Sequence, residues 1–243
     1  MTCRMGSTKT SKARDCFTSE RRKGRGEYLI MQDLAIFGAG GMARETAYLI
    51  KRINQQDMKY RFVGFVVDNE FYSEGSEVMG YPLYSKDWLV SHRDDTRCVC
   101  CLGYPKDRRK TMQELMQKGI GFETLVDPAT CIGDSISIGN GCIISGINIL
   151  TTDISIGDGV FLNGPMVTIG HDSVIEDYVT CFPKVQVSGG CHIGEAALIG
   201  SMSYIHEHKT IGEEAVVAPG SIVMRNVKSG MHAMGNPARV IKL

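Results

Sequence analysis

A histidine followed directly by an aspartate, His171-Asp172, is the residue pair in this chain that best suits acid–base chemistry. An adjacent carboxylate can hold one imidazole nitrogen as a donor, which leaves the other nitrogen free to accept a proton. The chain contains six histidines, and an ordinary exposed histidine without a function is the alternative interpretation. The choice depends on which elements carry His171 and what they place beside it.

A six-residue rhythm of aliphatic or Cys residues runs from Ile132 to Val223 and is interrupted once. A helix repeats near 3.6 residues and a strand near 2, so neither keeps a period of six in phase. Such a period predicts a parallel β-helix in which three short faces close one coil of about eighteen residues. The residues expected to point into its core are Ile132, Ile138, Ile144, Leu150, Ile156, Leu162, Ile169, Ile175, Cys181, Val187, Ile193, Ile199, Ile205, Ile211, Val217 and Val223.

The slip in this rhythm, one extra residue between Leu162 and Ile169, comes just before His171. In this phasing His171 occupies a corner of the β-helix, where its ring can face a groove. Because one coil is about eighteen residues, we expect Gly189 one rung away, at about 4.8 Å. A glycine N–H at that place can stabilise an oxyanion. One corner is therefore predicted to hold a base, the carboxylate of Asp172 and a hydrogen-bond donor.

Residues 31–126 have the pattern of a small parallel α/β domain, and residues 127–243 form the predicted β-helix domain. Apolar runs and helical spacing define the elements of the first domain. These are strands at 33–37, 62–67 and 97–102 and helices at 44–53 and 108–118. The helical residues expected to face inward are Ala43, Ala47, Ile50, Met112, Leu115 and Met116.

A glycine-rich turn, Gly38-Ala39-Gly40-Gly41-Met42-Ala43, lies between the first predicted strand and its helix. It matches the G-x-G-x-x-A pattern in which backbone N–H groups and a helix N-terminus approach a phosphate. Asp68 follows the second strand, where a carboxylate can bind a ribose or a base. The domain is short for a full dinucleotide fold, so one nucleoside diphosphate fits better than NAD. A tight turn that needs glycine for backbone reasons alone is the alternative.

Composition excludes several classes of function. The formal net charge is zero and the hydrophobic content is 43%, so nothing global favours nucleic acid or an acidic membrane. No apolar run is long enough for a transmembrane helix. The scattered cysteines predict reduced thiols and a cytoplasmic protein. Residues 1–30 are basic and polar, and we expect a disordered extension or a natural translation start at Met31.

Motifs spread along the chain resemble those of a known family. They are Gly38-Ala39-Gly40-Gly41, Gly64-Phe65-Val66-Val67-Asp68, Leu102-Gly103 with Arg108 or Arg109, Asp127-Pro128-Ala129, Gly170-His171-Asp172 and Gly235-Asn236-Pro237-Ala238-Arg239. The family is that of the bacterial left-handed β-helix acyltransferases, specifically the sialic-acid O-acetyltransferase and nucleotide-aminosugar N-acetyltransferase group. The resemblance covers residues 33–243, and Met42 stands where the family often has a histidine.

The resemblance implies a homotrimer of left-handed β-helices with acetyl-CoA in the groove between neighbours. It implies that His171 is the general base, that Asp172 raises the basicity of its imidazole and that the Gly189 N–H holds the oxyanion. It further implies that Asn163 positions the acceptor. The extended arm of CoA would be lined by turn backbone around Thr180, His192, Ser201, Ala218 and Pro219. The nucleotide of the acceptor would be held by Gly40, Gly41, Met42, Asp68 and Gly103.

The function expected from this family is direct transfer of acetyl from acetyl-CoA to a nucleotide-activated amino sugar in surface-glycan biosynthesis. O-acetylation of a sialic acid, another sugar or serine is the alternative within the class. A β-helix metalloenzyme using His206 and His208 and a non-catalytic nucleotide-binding scaffold are alternatives of other classes. No metal is expected, because no third ligand accompanies that pair and Cys98-Val99-Cys100-Cys101 fits a buried strand better. Cys181 and Cys191 are expected to be inert because their phase points them inward.

Overall fold

The computed structural model describes residues 31–241 and a short strand pair, β1 (Arg22–Lys23) and β2 (Glu27–Tyr28). The predicted disordered extension and the translation start at Met31 otherwise concern residues outside this description. Among the described residues, none of the helices combines the length and the apolar character needed to cross a lipid bilayer.

The first half of the described chain forms a five-stranded sheet in the order β5-β6-β4-β3-β7. Its elements are β3 (Gln32–Phe37), α1 (Gly41–Gln56), β4 (Tyr60–Val67), a 3₁₀ helix (Asn69–Phe71), β5 (Glu77–Val78), β6 (Tyr81–Ser85), α2 (Lys86–Ser91), β7 (Thr96–Cys100) and α3 (Pro105–Gln117). All neighbours pair in parallel except the β5–β6 hairpin. The chain moves from β3 to β4 on one side and later returns to β7 on the other, so a crevice opens between β3 and β7.

Every predicted strand and helix of this domain is present. Of the residues predicted to face inward, one does not. Met116 is exposed because it lies on the solvent side of α3, whereas Met112 and Leu115 are buried. Sequence reasoning missed β5, β6 and α2. The start of α2 carries a readable signal, since the Ser85 side chain accepts a hydrogen bond from the Trp88 N–H and caps the helix.

The second half is a triangular prism of stacked parallel strands. Its first face holds β8 (Leu125–Val126), β11 (Ile143–Ile144), β14 (Phe161–Leu162), β17 (Thr180–Cys181), β20 (Leu198–Ile199), β23 (Val216–Val217), β25 (His232–Gly235) and the antiparallel β26 (Ala238–Ile241). Its second face holds β9 (Cys131–Ile132), β12 (Ile149–Leu150), β15 (Thr168–Ile169), β18 (Gln186–Val187), β21 (Tyr204–Ile205) and β24 (Ile222–Val223). Its third face holds β10 (Ile136–Ile138), β13 (Ile154–Ile156), β16 (Val174–Ile175), β19 (His192–Ile193) and β22 (Thr210–Ile211). The first corner joins faces one and two, the second corner joins faces two and three, and the third corner returns to face one.

The predicted core residues fill the prism with two departures. Those from Ile144 to Val223 in the series are buried. Ile138 is half-buried and Ile132 is exposed, because they belong to the first coil, which has no coil beneath it. Ile132 pairs in register with the buried Leu150 and so keeps the predicted inward phase, but it is left uncovered at the open end of the prism. The prism already includes Leu125–Val126 as its first strand, and the domain boundary between residues 126 and 127 stays a prediction.

The α/β domain packs on the first face and the third corner of the prism. The outward side chains of Leu125, Ile143 and Phe161 share a hydrophobic cluster with Ala47 and Ile50 of α1. Burial of these apolar surfaces stabilises the docking at about 25 cal/mol per Å² removed from water. The sheet and the prism are thereby held in one arrangement, which defines the cleft described below.

Candidate active site

His171 lies at the second corner of the prism, as the repeat predicts. Its side chain is 61% exposed, and its Nδ1 lies 2.7 Å from Oδ2 of Asp172. Because Nδ1 faces the carboxylate, Nε2 points elsewhere and has no hydrogen-bond partner among the described residues. An oriented imidazole with one open nitrogen can take a proton from a substrate in the groove.

Gly189 lies one coil further along the prism, directly against the imidazole of His171. A Cβ atom on Gly189 would lie 2.5 Å from Cε1 and 2.6 Å from Nε2 of that ring, so only glycine fits. Within the described residues the Gly189 N–H donates no hydrogen bond, whereas the Gly190 N–H donates to the His171 carbonyl at 2.7 Å. The predicted juxtaposition of a base, a carboxylate and a glycine amide is present; their catalytic roles stay predictions.

The other histidines of this corner do not form a metal site within residues 31–241. His206 Nδ1 lies 3.4 Å from the Tyr204 hydroxyl, and the ring of His208 packs over Gly190. In that same part of the chain, no group of three His, Cys, Asp or Glu residues comes together as metal ligands. The arrangement gives no geometric basis for the metalloenzyme alternative.

Asn163 lies at the first corner, beside the extra residue in the turn Gly164-Pro165-Met166. It is 9% exposed and lines the cleft described below, and its side-chain amide makes no hydrogen bond to any described residue. His171 lies at the second corner of the same prism, so one chain does not bring the two residues together. If Asn163 helps to position the acceptor for His171, corners of different subunits must meet.

A cleft of about 640 Å³ separates α1 from the first corner. It is lined by Gly41, Arg44, Glu45, Tyr48, Leu49, Arg52, Asp127, Ser145, Gly146, Asn163, Gly164, Pro165 and Pro183. Sequence reasoning missed Arg44, Tyr48 and Arg52, although their spacing of four residues puts them on one helix face. The cleft joins the glycine-rich turn at one end to the unpaired amide of Asn163 at the other.

The glycine-rich turn presents an open helix N-terminus. Gly40 and Gly41 are exposed, and a Cβ atom on Gly40 would have no neighbour within 4 Å. Helix α1 starts at Gly41 without a side-chain cap and without an acidic residue in its first turn. Free N–H groups and the helix dipole favour an anion here. Met42 lies across the crevice, where a Cβ atom on Gly103 would be 2.7 Å from its Sδ.

Asp68 follows β4, as predicted, but its carboxylate is already partly engaged. Its Oδ1 lies 2.6 Å from Nζ of Lys86, which also lies 3.1 Å from Glu114. These two carboxylates raise the pKa of Lys86, and the hydrogen bond to Asp68 is the largest cause. A ribose or base contact from Asp68 would therefore come from a carboxylate paired with a cation.

The residues predicted along the CoA arm fall into two groups. Ser201, Ala218 and Pro219 lie at the first corner in successive coils, on partly or fully exposed backbone. Thr180 is buried on the first face, and its hydroxyl donates to the Gly103 carbonyl at 3.1 Å. His192 lies on strand β19 of the third face and pairs with Glu176 at 2.6 Å. Within one chain neither residue belongs to an exposed turn, and the contacts of Thr180 and His192 with acetyl-CoA stay predictions.

The cysteines of the prism core cannot act as nucleophiles in this structure. Cys181 is fully buried, and burial raises the pKa of its thiol to about 12. Burial likewise raises the pKa of the Cys191 thiol. Thiols held protonated are poor nucleophiles, which favours direct transfer over a covalent intermediate.

Comparison with known proteins gives the same class as the geometry. A family model described as the PglD N-terminal domain matches residues 33–115. The chain is 28% identical over 214 residues to GDP-perosamine N-acetyltransferase of Escherichia coli O157:H7, covering 85% of this chain and 95% of that protein.

Two solved structures have the same fold. The acetyltransferase domain of PglB from Neisseria gonorrhoeae FA1090 in complex with acetyl coenzyme A superposes with a TM-score of 0.75 at 24% identity, covering 87% of this chain and 100% of that one. A mutant of perosamine N-acetyltransferase from Caulobacter crescentus in complex with CoA and GDP-perosamine gives 0.75 at 20% identity, covering 87% and 97%.

The fold is thus that of the left-handed β-helix acyltransferases with an N-terminal α/β domain of the PglD type. The chain is similar to acetyltransferases of nucleotide-linked amino sugars, and it is an acyltransferase with acetyl-CoA as the acetyl donor. The predicted fold class, enzyme class and co-substrate are confirmed.

Proposed function

We propose that this protein transfers the acetyl group of acetyl-CoA to the amino group of a sugar carried on a nucleoside diphosphate. The observation that carries the proposal is the corner where the His171 ring lies between Asp172 and the free amide of Gly189. This arrangement supplies a base, its orienting carboxylate and an oxyanion donor within one exposed corner. Direct acyl transfer needs those three groups.

The reaction balances without a covalent enzyme intermediate. The neutral amine nitrogen attacks the thioester carbonyl carbon while its proton passes to Nε2 of His171. The developing oxyanion accepts a hydrogen bond from the Gly189 N–H. The new C–N bond forms, the C–S bond breaks, and the CoA thiolate takes the proton from the imidazolium. Asp172 stabilises the positive charge that His171 carries in between.

The acceptor site is assigned to the α/β domain. The open N-terminus of α1 at Gly40 and Gly41 suits the diphosphate, because its N–H groups are exposed and uncapped. Arg44 lines the cleft one turn further along and adds a cation. The cleft leads to the amide of Asn163, which would orient the sugar. GDP-perosamine is the first acceptor to test, because the relative of 28% identity is named for it.

The catalytic assembly is assigned to a homotrimer in the cytoplasm. Asn163 and His171 lie at different corners of one prism, so a complete site requires a neighbouring subunit. Exposed apolar residues at the first corner, Ile147, Met166 and Met202, favour such a contact. Buried reduced thiols such as Cys181 agree with a reducing compartment.

The test is an acceptor panel with purified full-length protein and acetyl-CoA. GDP-perosamine, UDP-linked amino sugars, free sialic acid and serine are incubated separately, with CoA release followed by chromatography and the product by mass spectrometry. We expect N-acetylation of a nucleotide-linked amino sugar only. Acetylation of sialic acid or serine with no reaction of any nucleotide sugar would overturn the proposal.

A further inference from the structure

Arg108 of α3 is a buried cation that no carboxylate neutralises within the described residues. It is 1% exposed and takes part in no salt bridge there. Burial lowers the pKa of its guanidinium to about 10. Burying a charge without an ionic partner is costly, so every N–H must find an acceptor.

The guanidinium joins the loop after β7 to the prism. Its Nη1 donates to the carbonyls of Leu102 at 2.7 Å and Gly103 at 3.3 Å, on the side of the α/β domain. On the prism side the acceptors are the Gly159 carbonyl at 2.8 Å, the Tyr178 carbonyl at 2.6 Å, the Val179 carbonyl at 3.2 Å and Thr180 Oγ1 at 2.9 Å. The planar fork of arginine can bind both sides at once, which the point charge of a lysine cannot do.

Thr180 closes the connection by a second route. Its hydroxyl accepts from Arg108 and donates to the Gly103 carbonyl at 3.1 Å. The Gly103 carbonyl thus accepts two hydrogen bonds, one from Arg108 and one from Thr180 of the β-helix. Gly103 also contacts Met42, the residue that follows the open glycine turn. The position of the loop relative to the prism is fixed by these few contacts.

We propose that Arg108 and Thr180 are positioning residues that hold the acceptor-binding loop at a fixed distance from the β-helix. This inference rests on the proposed function, in which the loop at Gly103 contacts the acceptor nucleotide. Docking of the domains as such has another source, since Arg109 pairs with Glu195 and Glu214 on the third corner. Arg109 therefore provides a comparison residue that docks without touching the loop.

The test separates acceptor binding from acetyl-CoA binding and from folding. Thr180→Val removes the hydroxyl and keeps the shape. We expect the KM for the nucleotide amino sugar to rise about threefold to tenfold, as loss of one or two hydrogen bonds implies. The KM for acetyl-CoA should change little, and the melting temperature should fall by no more than a few degrees, because two buried hydrogen bonds are lost. Thr210→Val, on the exposed third face, is the matched control and should leave all three values unchanged.

Arg108→Lys and Arg109→Gln extend the comparison. Arg108→Lys should raise the acceptor KM more than Thr180→Val does, and Arg109→Gln should lower the melting temperature without raising that KM selectively. Should Arg108→Lys fail to fold, Thr180→Val alone decides. If the wild-type enzyme acetylates a nucleotide amino sugar but Thr180→Val keeps its acceptor KM, the positioning role is refuted. If the wild-type enzyme acetylates none, the proposed function fails first.

Discussion

The imidazole of His171 rests against the α-carbon of Gly189, one coil away on the same corner of the prism. A methyl group on Gly189 would lie 2.5 Å from Cε1 of the ring, which is well inside van der Waals contact. The absence of a side chain at residue 189 therefore determines where the ring of residue 171 can lie. It also leaves a backbone N–H uncovered beside that ring.

Replacing Gly189 with alanine should displace the imidazole without unfolding the prism. A misplacement of about 1 Å at a reacting group can lower the rate about 10²-fold, and we expect a loss of kcat of that order. Binding of acetyl-CoA, measured by calorimetry, should persist because the first corner is unchanged. Full activity in Gly189→Ala would show that the contact with His171 has no catalytic meaning.

Removing the imidazole should lower kcat at least as much as displacing it does. His171→Ala is expected to lower kcat by about 10²–10⁴-fold, the usual contribution of positioned proton transfer. Asp172→Asn should lower it less, because an amide still bonds to Nδ1 but does not stabilise the imidazolium. The control is His92→Ala, which removes an exposed histidine beside Trp88 in the other domain. Steady-state kinetics that rank the three variants otherwise would contradict the base assignment.

Asp127 is expected to contribute to stability at the junction of the two domains. Its side chain is 2% exposed and accepts hydrogen bonds from Arg52 at 2.9 Å and from the N–H groups of Ala129 and Gly146. Asp127→Asn removes the charge and one acceptor, which should cost about 1–3 kcal/mol of unfolding free energy. Urea denaturation measures the difference. Asp134→Asn changes an exposed aspartate and serves as the control, for which we expect no measurable loss of unfolding free energy.

Alkaline pH should destabilise the protein through its buried thiols. Burial raises the pKa of Cys100, Cys101, Cys142 and Cys181 from an ordinary value of 9.0 to about 12. A group whose pKa is raised by folding stabilises the native state fully below pH 9, and this stability is lost as pH rises toward 12. Each thiol can account for up to about 1.4 kcal/mol per pH unit in that window.

The measurement is the unfolding free energy at a series of pH values from about 8 to about 11. Cys181→Ala removes one such thiol and should flatten the decline, whatever it does to the absolute stability. Arg108 acts with the opposite sign above pH 10, because burial lowers its pKa. A decline equally steep in wild type and Cys181→Ala would show that the thiol does not contribute.

The apolar first corner should be required for assembly. Met202 is exposed in the same column of turn positions as Lys184 and Met166. Met202→Lys places a second cation beside Lys184, which we expect to dissociate the proposed trimer and lower activity, as light scattering and kinetics would report. Met79→Lys changes an exposed methionine of the α/β domain and should do neither. A Met202→Lys protein that remains trimeric would place the subunit contact elsewhere.

Most of the corner that holds His171 could be predicted from the sequence. A period of six determines which residues face inward and how far apart successive coils lie, so the proximity of His171 and Gly189 follows from counting. The same counting could not show that Ile132 is left uncovered, because a repeat does not say where the stack ends. It also placed Asp68 at the end of its strand but could not reveal that Lys86 had already paired with it, since that contact comes from a separate helix.

Hexad spacing by itself therefore determined the prism, its core and the corner that carries His171, because each coil repeats a local geometry of the backbone. Only the tertiary structure decided how the α/β domain lies on that prism. Docking created the cleft between α1 and Asn163, and it buried Thr180 beneath Arg108, where its hydroxyl donates a hydrogen bond to the Gly103 carbonyl. Contacts between residues more than 70 positions apart, such as Arg108 and Thr180, depend on side chains meeting in space and leave no periodic signal in the chain.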